Sequence, residues 1–159
     1  MKLVFFFLLM VQALWSSDAT IEVVKGVGTL PKLAVEDGSA QSSDLSQRMA
    51  KMLVADMHVV AMFDVDESYA VAPFDSLMPA SMHKEAQYIL RYRLTPDSSG
   101  GLKADVRLLQ NGADLFSKSY VLKQTEMMVF LSHTIAYDLN AKLGGAPMEW
   151  IKRKVLMVR

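Results

Sequence analysis

The sequence has no cysteine, and several classes of protein fall away with it. Without thiols there is no disulfide framework, no thiolate zinc site and no lipid-modified cysteine to tether the chain. Nor is there an excess of either charge: 17 Lys and Arg face 17 Asp and Glu. A neutral chain with no polybasic stripe lacks the electrostatic footprint of a nucleic-acid binder. Histidine is scarce too. His58, His83 and His133 fall on no metal-ligand spacing such as HExxH. A nucleophile elbow, a phosphate-cradling glycine loop and an EF-hand pattern are missing. GVGTLP lacks the third glycine and the following helix of a dinucleotide fingerprint. The expectation is a non-enzymatic chain with no metal, no cofactor and no small-molecule substrate.

What is present begins with an export signal. Lys2 precedes an apolar run over residues 3–11 that continues to Trp15, the n-region and h-region of a secretory signal peptide. Ser17 and Ala19 are small residues at the two positions a signal peptidase reads, so cleavage is expected after Ala19. The run is shorter than the roughly 20 residues that span a bilayer. Residues 1–19 are therefore expected to be removed on export. A cysteine-free exported domain suits a bacterial periplasm, peripheral to membranes. The roughly 140 residues that remain can bury about two-thirds of their unfolded surface, enough for one core.

Two short extended segments follow, TIEVVKGV over residues 20–27 and KLAVED over Lys32–Asp37, separated by a Gly and Pro turn. Ser43 or Asp44 can cap a helix, and Gln47 sits three residues after Asp44 in a capping-box position. Leu45, Met49, Met52, Leu53, Asp56 and Val60 keep the helical period, with Asp56 the one polar interruption, so a helix is predicted over 44–60. Met49 and Met52 belong to its apolar face, and Met57 is left unassigned. Residues 62–66, MFDVD, predict a short strand. The next twenty residues predict a loop with a helical turn near Ser81. Asp64, Asp66 and Glu67 are close enough in sequence for acid–base work. With no apolar pocket or third partner in the pattern, they read as a solvated strand end.

From Gln87 the pattern sharpens. Tyr88, Leu90, Tyr92 and Leu94 share one face, Arg91 and Arg93 the other. LKADVRLLQ alternates cleanly, Asn111-Gly112 signals a tight hairpin, and LFSKSYVL returns as the partner strand. This predicts an antiparallel meander with one buried and one wetter face. Thr125 can cap a second helix, which Gly144 and Gly145 end. WIKRKVLMVR reads as the opening of another strand. The fold class is α+β: a mixed sheet of about five strands with two long helices on one face.

HTIAYDLNAKLGGAPMEWIKR carries a resemblance. His133, Lys142, Leu143, Gly145, Trp150 and Arg153 match the spacing of the last helix and exit segment of the TolB amino-terminal domain family, periplasmic components of the Tol-Pal system. VADMHVVAMFDV is similar to the family's first-helix pattern at Ala55, Asp56 and Phe63, and the front of the chain follows the family order. The likeness covers residues 1 to about 155. It departs where Tyr137 fills the place of an acidic residue one turn after the His, with Asp138 displaced by one. Gly144 stands for a Thr, and Val60-Ala61 for a Ser-Gly pair. These departures resemble a divergent branch, of the Campylobacter and Helicobacter kind.

The resemblance implies an α/β domain over 20–150. Residues 151–159 would then start a linker or strand toward a β-propeller that is not in this chain. It also implies that the residues just after signal cleavage are a switch, either packed back on the protein or presented to TolA, the inner-membrane energiser. Here that partner-binding segment is Thr20, Ile21, Glu22, Val23, Val24, Lys25, Gly26 and Val27. Pal, which the family's propeller binds, is expected as a partner only if a propeller is supplied. The implied role is support of outer-membrane integrity and constriction at division. An alternative is a stand-alone periplasmic assembly module, similar to activators of cell-wall synthases; those are usually tethered through a lipobox cysteine, which this chain lacks.

Overall fold

The computed structural model describes residues 29–40, 43–98 and 100–152. The signal segment 1–19, the switch segment 20–27 and most of the exit segment 151–159 lie outside the described residues. The elements are β1 (Lys32–Asp37), α1 (Asp44–Val60), β2 (Asp64–Val71), β3 (Tyr88–Pro96), β4 (Leu102–Gln110), β5 (Ala113–Leu122) and α2 (Met128–Lys142). The strands form one sheet in the order β2-β1-β3-β4-β5. β1 runs parallel to both neighbours, while β3, β4 and β5 are antiparallel. The α+β architecture, with five strands and both helices on one face, is as the sequence predicts.

Alternation decides which side chains meet the helices. Leu33 and Val35, Leu90 and Tyr92, and Val106 and Leu108 point to one side, where they bury against Met49, Leu53 and Met57 of α1 and Ile135 and Leu139 of α2. Met57 is thus a core residue. Tyr92 reaches through this layer to donate its hydroxyl to the Ser46 carbonyl at 2.6 Å. Burial, with Asp37 nearby, pushes that phenol's pKa well above the ordinary tyrosine range.

α1 starts where its cap residues allow. Ser43 accepts from the Ser46 amide and Ser46 Oγ accepts from the Ser43 amide, so the reciprocal partner is Ser46 rather than Gln47. It stops at Ala61, whose φ of 56° is left-handed. An alanine in that conformation costs about 1 kcal/mol.

Three local expectations are corrected. β2 begins at Asp64 and runs to Val71, taking in residues expected to be loop. Its register against β1 slips between Ala34 and Glu36, which face Asp66 and Ala70, so extra residues bulge out and break the alternation. Thr125 is not a side-chain cap; a 3-10 turn over Thr125–Met127 leads into α2 without one. The described part of WIKRKVLMVR, within Glu149–Lys152, is a 3-10 turn instead of a strand.

On the wetter face Arg93, Lys103 and Ser119 all reach Asp105. Burial alone would raise this carboxyl, but the hydrogen bonds from Lys103, Ser119 and Arg93 outweigh it and bring the pKa down to about 2. A carboxylate depressed in the folded state lends stability that is full above its unfolded value of about 4. That stability is lost as pH falls toward the folded value. Urea midpoints measured from pH 5 to pH 2 should therefore fall less steeply for Asp105→Asn than for the parent chain.

Candidate functional site

The sheet ends in two open edges, β2 and β5; among the described residues nothing pairs with their outer sides. The β2 edge is the more elaborate. α1 lies over β1 and β2, and its small residues Ala50 and Ala55 leave a groove of about 400 Å³ against the strand. Val35 and Val54 make an apolar floor. Gln47, Lys51, His58, Glu67 and Tyr69 make a polar rim. His58 Nε2 lies 3.1 Å from Glu67 Oε1 across the mouth, both side chains largely exposed. Tyr69 donates to the buried Asp37 at 2.6 Å, and Asp37 also accepts from the Ser39 amide. The acidic cluster is divided by this geometry. Asp64 and Asp66 lie exposed on the strand, Asp66 bonded to the hydroxyl and amide of Ser68, while Glu67 turns to His58.

The other side of β2 is flanked by the connection to β3. Two strands parallel to β1 and on either side of it need a crossover, usually a helix. Here it is an irregular strap, residues 72–87, laid over the face opposite the helices and covering Ala34, Ile89 and Leu109. A buried strap needs partners for its backbone. Arg91, fully buried, supplies them: its guanidinium donates to the carbonyls of Pro73 (3.0 Å), Ser76 and Met78 (2.8 Å). It also pairs with the equally buried Glu36 through Nε and Nη2 at 3.0 and 2.5 Å. Glu36 in turn accepts from the Ala80 amide at 2.7 Å and faces His83 Nδ1 at 3.1 Å. Arg107 donates to the Phe74 carbonyl, and Arg93 lies 4.1 Å from the Phe74 ring centroid. The strap is thus tightly held, yet Leu77, Met78 and Met82 on it stand open to solvent.

Two of the residues that carried the family likeness, Asp56 and His133, are structural neighbours. Asp56, the polar interruption on the apolar stripe of α1, is buried and accepts from Ser132 Oγ and from His133 Nδ1 at 2.9 Å. The His–carboxylate pair that the last helix lacks along its own length is made across to the first helix. Tyr137 instead donates to Glu149 and has Lys152 3.3 Å from its ring centroid, while Asp138 accepts from Lys118 and Tyr120. A Cβ at Gly145 would sit 1.9 Å from the Asn140 side-chain oxygen, so any larger residue there would displace that side chain. Trp150 is exposed, and Arg153 lies outside the described residues.

Residues 20–27 also lie outside them, so the expected partner segment is not placed. Its point of entry is. Leu30 is half exposed, the Pro31 carbonyl accepts from the Asp64 amide at 3.1 Å, and Lys32 faces Asp64. The chain therefore reaches β1 at the end of the sheet where β2 begins. The groove and the strap network have no counterpart among the sequence expectations. Asp56 left a signal, since a carboxylate on a buried helical face needs a partner.

Among the described residues no helix is long and apolar enough to cross a membrane, and no cluster of His, Asp or Glu could hold a metal ion. No family model matches the chain. It is 31% identical over 162 residues to the Tol-Pal system protein TolB of Wolinella succinogenes, covering 99% of this chain and 38% of that protein. The TolB proteins of Campylobacter jejuni and Helicobacter hepaticus are 30% and 24% identical, over 99% and 94% of this chain and 36% of each relative. The chain thus spans less than two-fifths of the length of these curated relatives. Among solved structures, a PelC dodecamer subunit from Paraburkholderia phytofirmans superposes with a TM-score of 0.45 at 14% identity, over 73% of this chain and 89% of that one, too loosely to carry an argument.

Proposed function

Because this chain is a homologue of Tol-Pal system protein TolB, consistent with its amino-terminal domain, we propose that it is a periplasmic, non-catalytic partner-binding component of the Tol-Pal envelope system. Its leading strand, residues 20–27, engages a TolA-like inner-membrane protein and so supports outer-membrane integrity and constriction during division. Pal is a partner only where a propeller is supplied.

The observation that carries this reading is the open β2 edge, beside the point where the chain enters the sheet. A segment before Thr29 that runs antiparallel to β2 can add to that edge by backbone hydrogen bonds, with alternate side chains meeting the α1 groove. Ile21 and Val23 share one face of that segment, and Lys25 and Gly26 weaken its continuation. The same backbone groups can serve a partner's edge instead. A few kcal/mol of difference between the two pairings is enough to make either dominate.

Deleting residues 20–27 should abolish binding to the periplasmic domain of a TolA protein, measured by titration calorimetry, while thermal unfolding of the remainder stays a single cooperative transition. Binding that survives the deletion overturns the assignment.

A further inference from the structure

The second open edge, β5, is built differently from β2. β2 has a bulge in its middle and carries Asp64, Asp66 and Glu67, so a second β2 laid against it would bring carboxylate near carboxylate. The one irregularity of β5 against β4 lies at its start, where Leu108 faces Phe116 and Leu109 faces Asp114, so Leu115 is the extra residue. From Phe116 to Leu122 the strand is regular and without proline, and its one charge, Lys118, is held by Asp138 at 2.7 Å. Apolar surface flanks it on both sides. Val121 is 61% exposed on the wetter face. On the helix face Tyr120 and Leu122 border a groove of about 220 Å³ with Met127, Phe130 and Leu131.

We propose that this edge pairs with the β5 edge of a second copy of the chain, antiparallel about a two-fold axis at Ser119, to make one sheet of ten strands. The strand is complementary to itself in that register. Centring on Ser119 sets Ser117 opposite Val121, Phe116 opposite Leu122 and Lys118 opposite Tyr120, so no charge meets its like. The acidic start of one strand, at Asp114, falls beside the basic end of the other, at Lys123. Two-fold pairing of like edges uses one patch on both partners, the commonest closed arrangement. This inference is independent of the strand-exchange reading, which concerns the opposite edge.

The absence of cysteine makes the test clean. Residues opposite each other in an antiparallel pair have Cα atoms about 4.5–5.5 Å apart, within disulfide range. Ser119→Cys is exposed and meets itself across the axis, so mild oxidation of the full chain should give a covalent dimer. Ser117→Cys or Val121→Cys alone should stay monomeric on reducing-agent-free gels, while a mixture of the two cross-links. Sedimentation of the parent chain should show a concentration-dependent dimer. Ser117→Lys/Val121→Lys, which sets lysines opposite lysines, should abolish it while unfolding stays a single cooperative transition whose midpoint, unlike the parent's, does not rise with protein concentration, and mixing that variant with Ser117→Glu/Val121→Glu should restore the dimer. A parent chain that sediments as a monomer at its highest soluble concentration overturns the proposal. So does a dimer that vanishes on deleting residues 20–27, which would make the leading strand the occupant of this edge.

Discussion

Replacing Arg91 by methionine is expected to cost on the order of 3–5 kcal/mol of folding stability, and to lower the thermal midpoint by roughly 10 °C or more in calorimetry. The side chain would still fill its space, but Glu36 would be left as a buried carboxylate without its cation, and three strap carbonyls would lose their donor. The double variant Glu36→Gln/Arg91→Met should recover part of the loss, because it leaves no lone charge in the interior. It should not recover the strap. Limited proteolysis between residues 73 and 80 should be faster than in the parent for both variants. An Arg91→Met protein that unfolds within about 1 kcal/mol of the parent would show that the strap is held by something else.

The second large effect is expected at Asp56. Asp56→Ala should destabilise by about 2–3 kcal/mol, since it strips the acceptor from the fully buried Ser132 hydroxyl and from His133. Asp56→Asn, which keeps an acceptor oxygen, should cost less. Denaturant titration gives both values, and binding to a TolA domain by the Asp56→Asn protein should be unchanged. A fall in that binding at unchanged stability would mean that the dyad itself meets the partner, and the structural role given to it would be wrong.

Asp56 and His133 also show where a sequence is legible and where it is not. The two helices and the β3–β5 meander are readable because each repeats a local rule: a 3.6-residue apolar stripe, or strict alternation closed by Asn-Gly. Asp56 breaks such a stripe, but its partners lie 76 and 77 residues away, and nothing local names them. β2 is longer than its sequence suggests, because its bulge interrupts the alternation just where Glu67, Ser68 and Tyr69 follow one another. Arg91 misleads in the opposite sense. It alternates with apolar residues as a solvent-facing cation would, and Arg93, its neighbour on that face, is partly exposed. Alternation reports which side of the sheet a residue takes; it does not report what covers that side. The candidate groove is equally hidden, for it depends on small residues of α1 lying over a strand edge whose place follows from the crossover alone.

The strap has one further consequence. Arg91 recognises it only through main-chain oxygens, and Glu36 through an amide and a buried histidine. The outward side chains Leu77, Met78 and Met82 take no part in that recognition, so their chemistry is uncoupled from folding. Natural variation can rewrite what this loop shows to its surroundings while its course over the sheet stays the same.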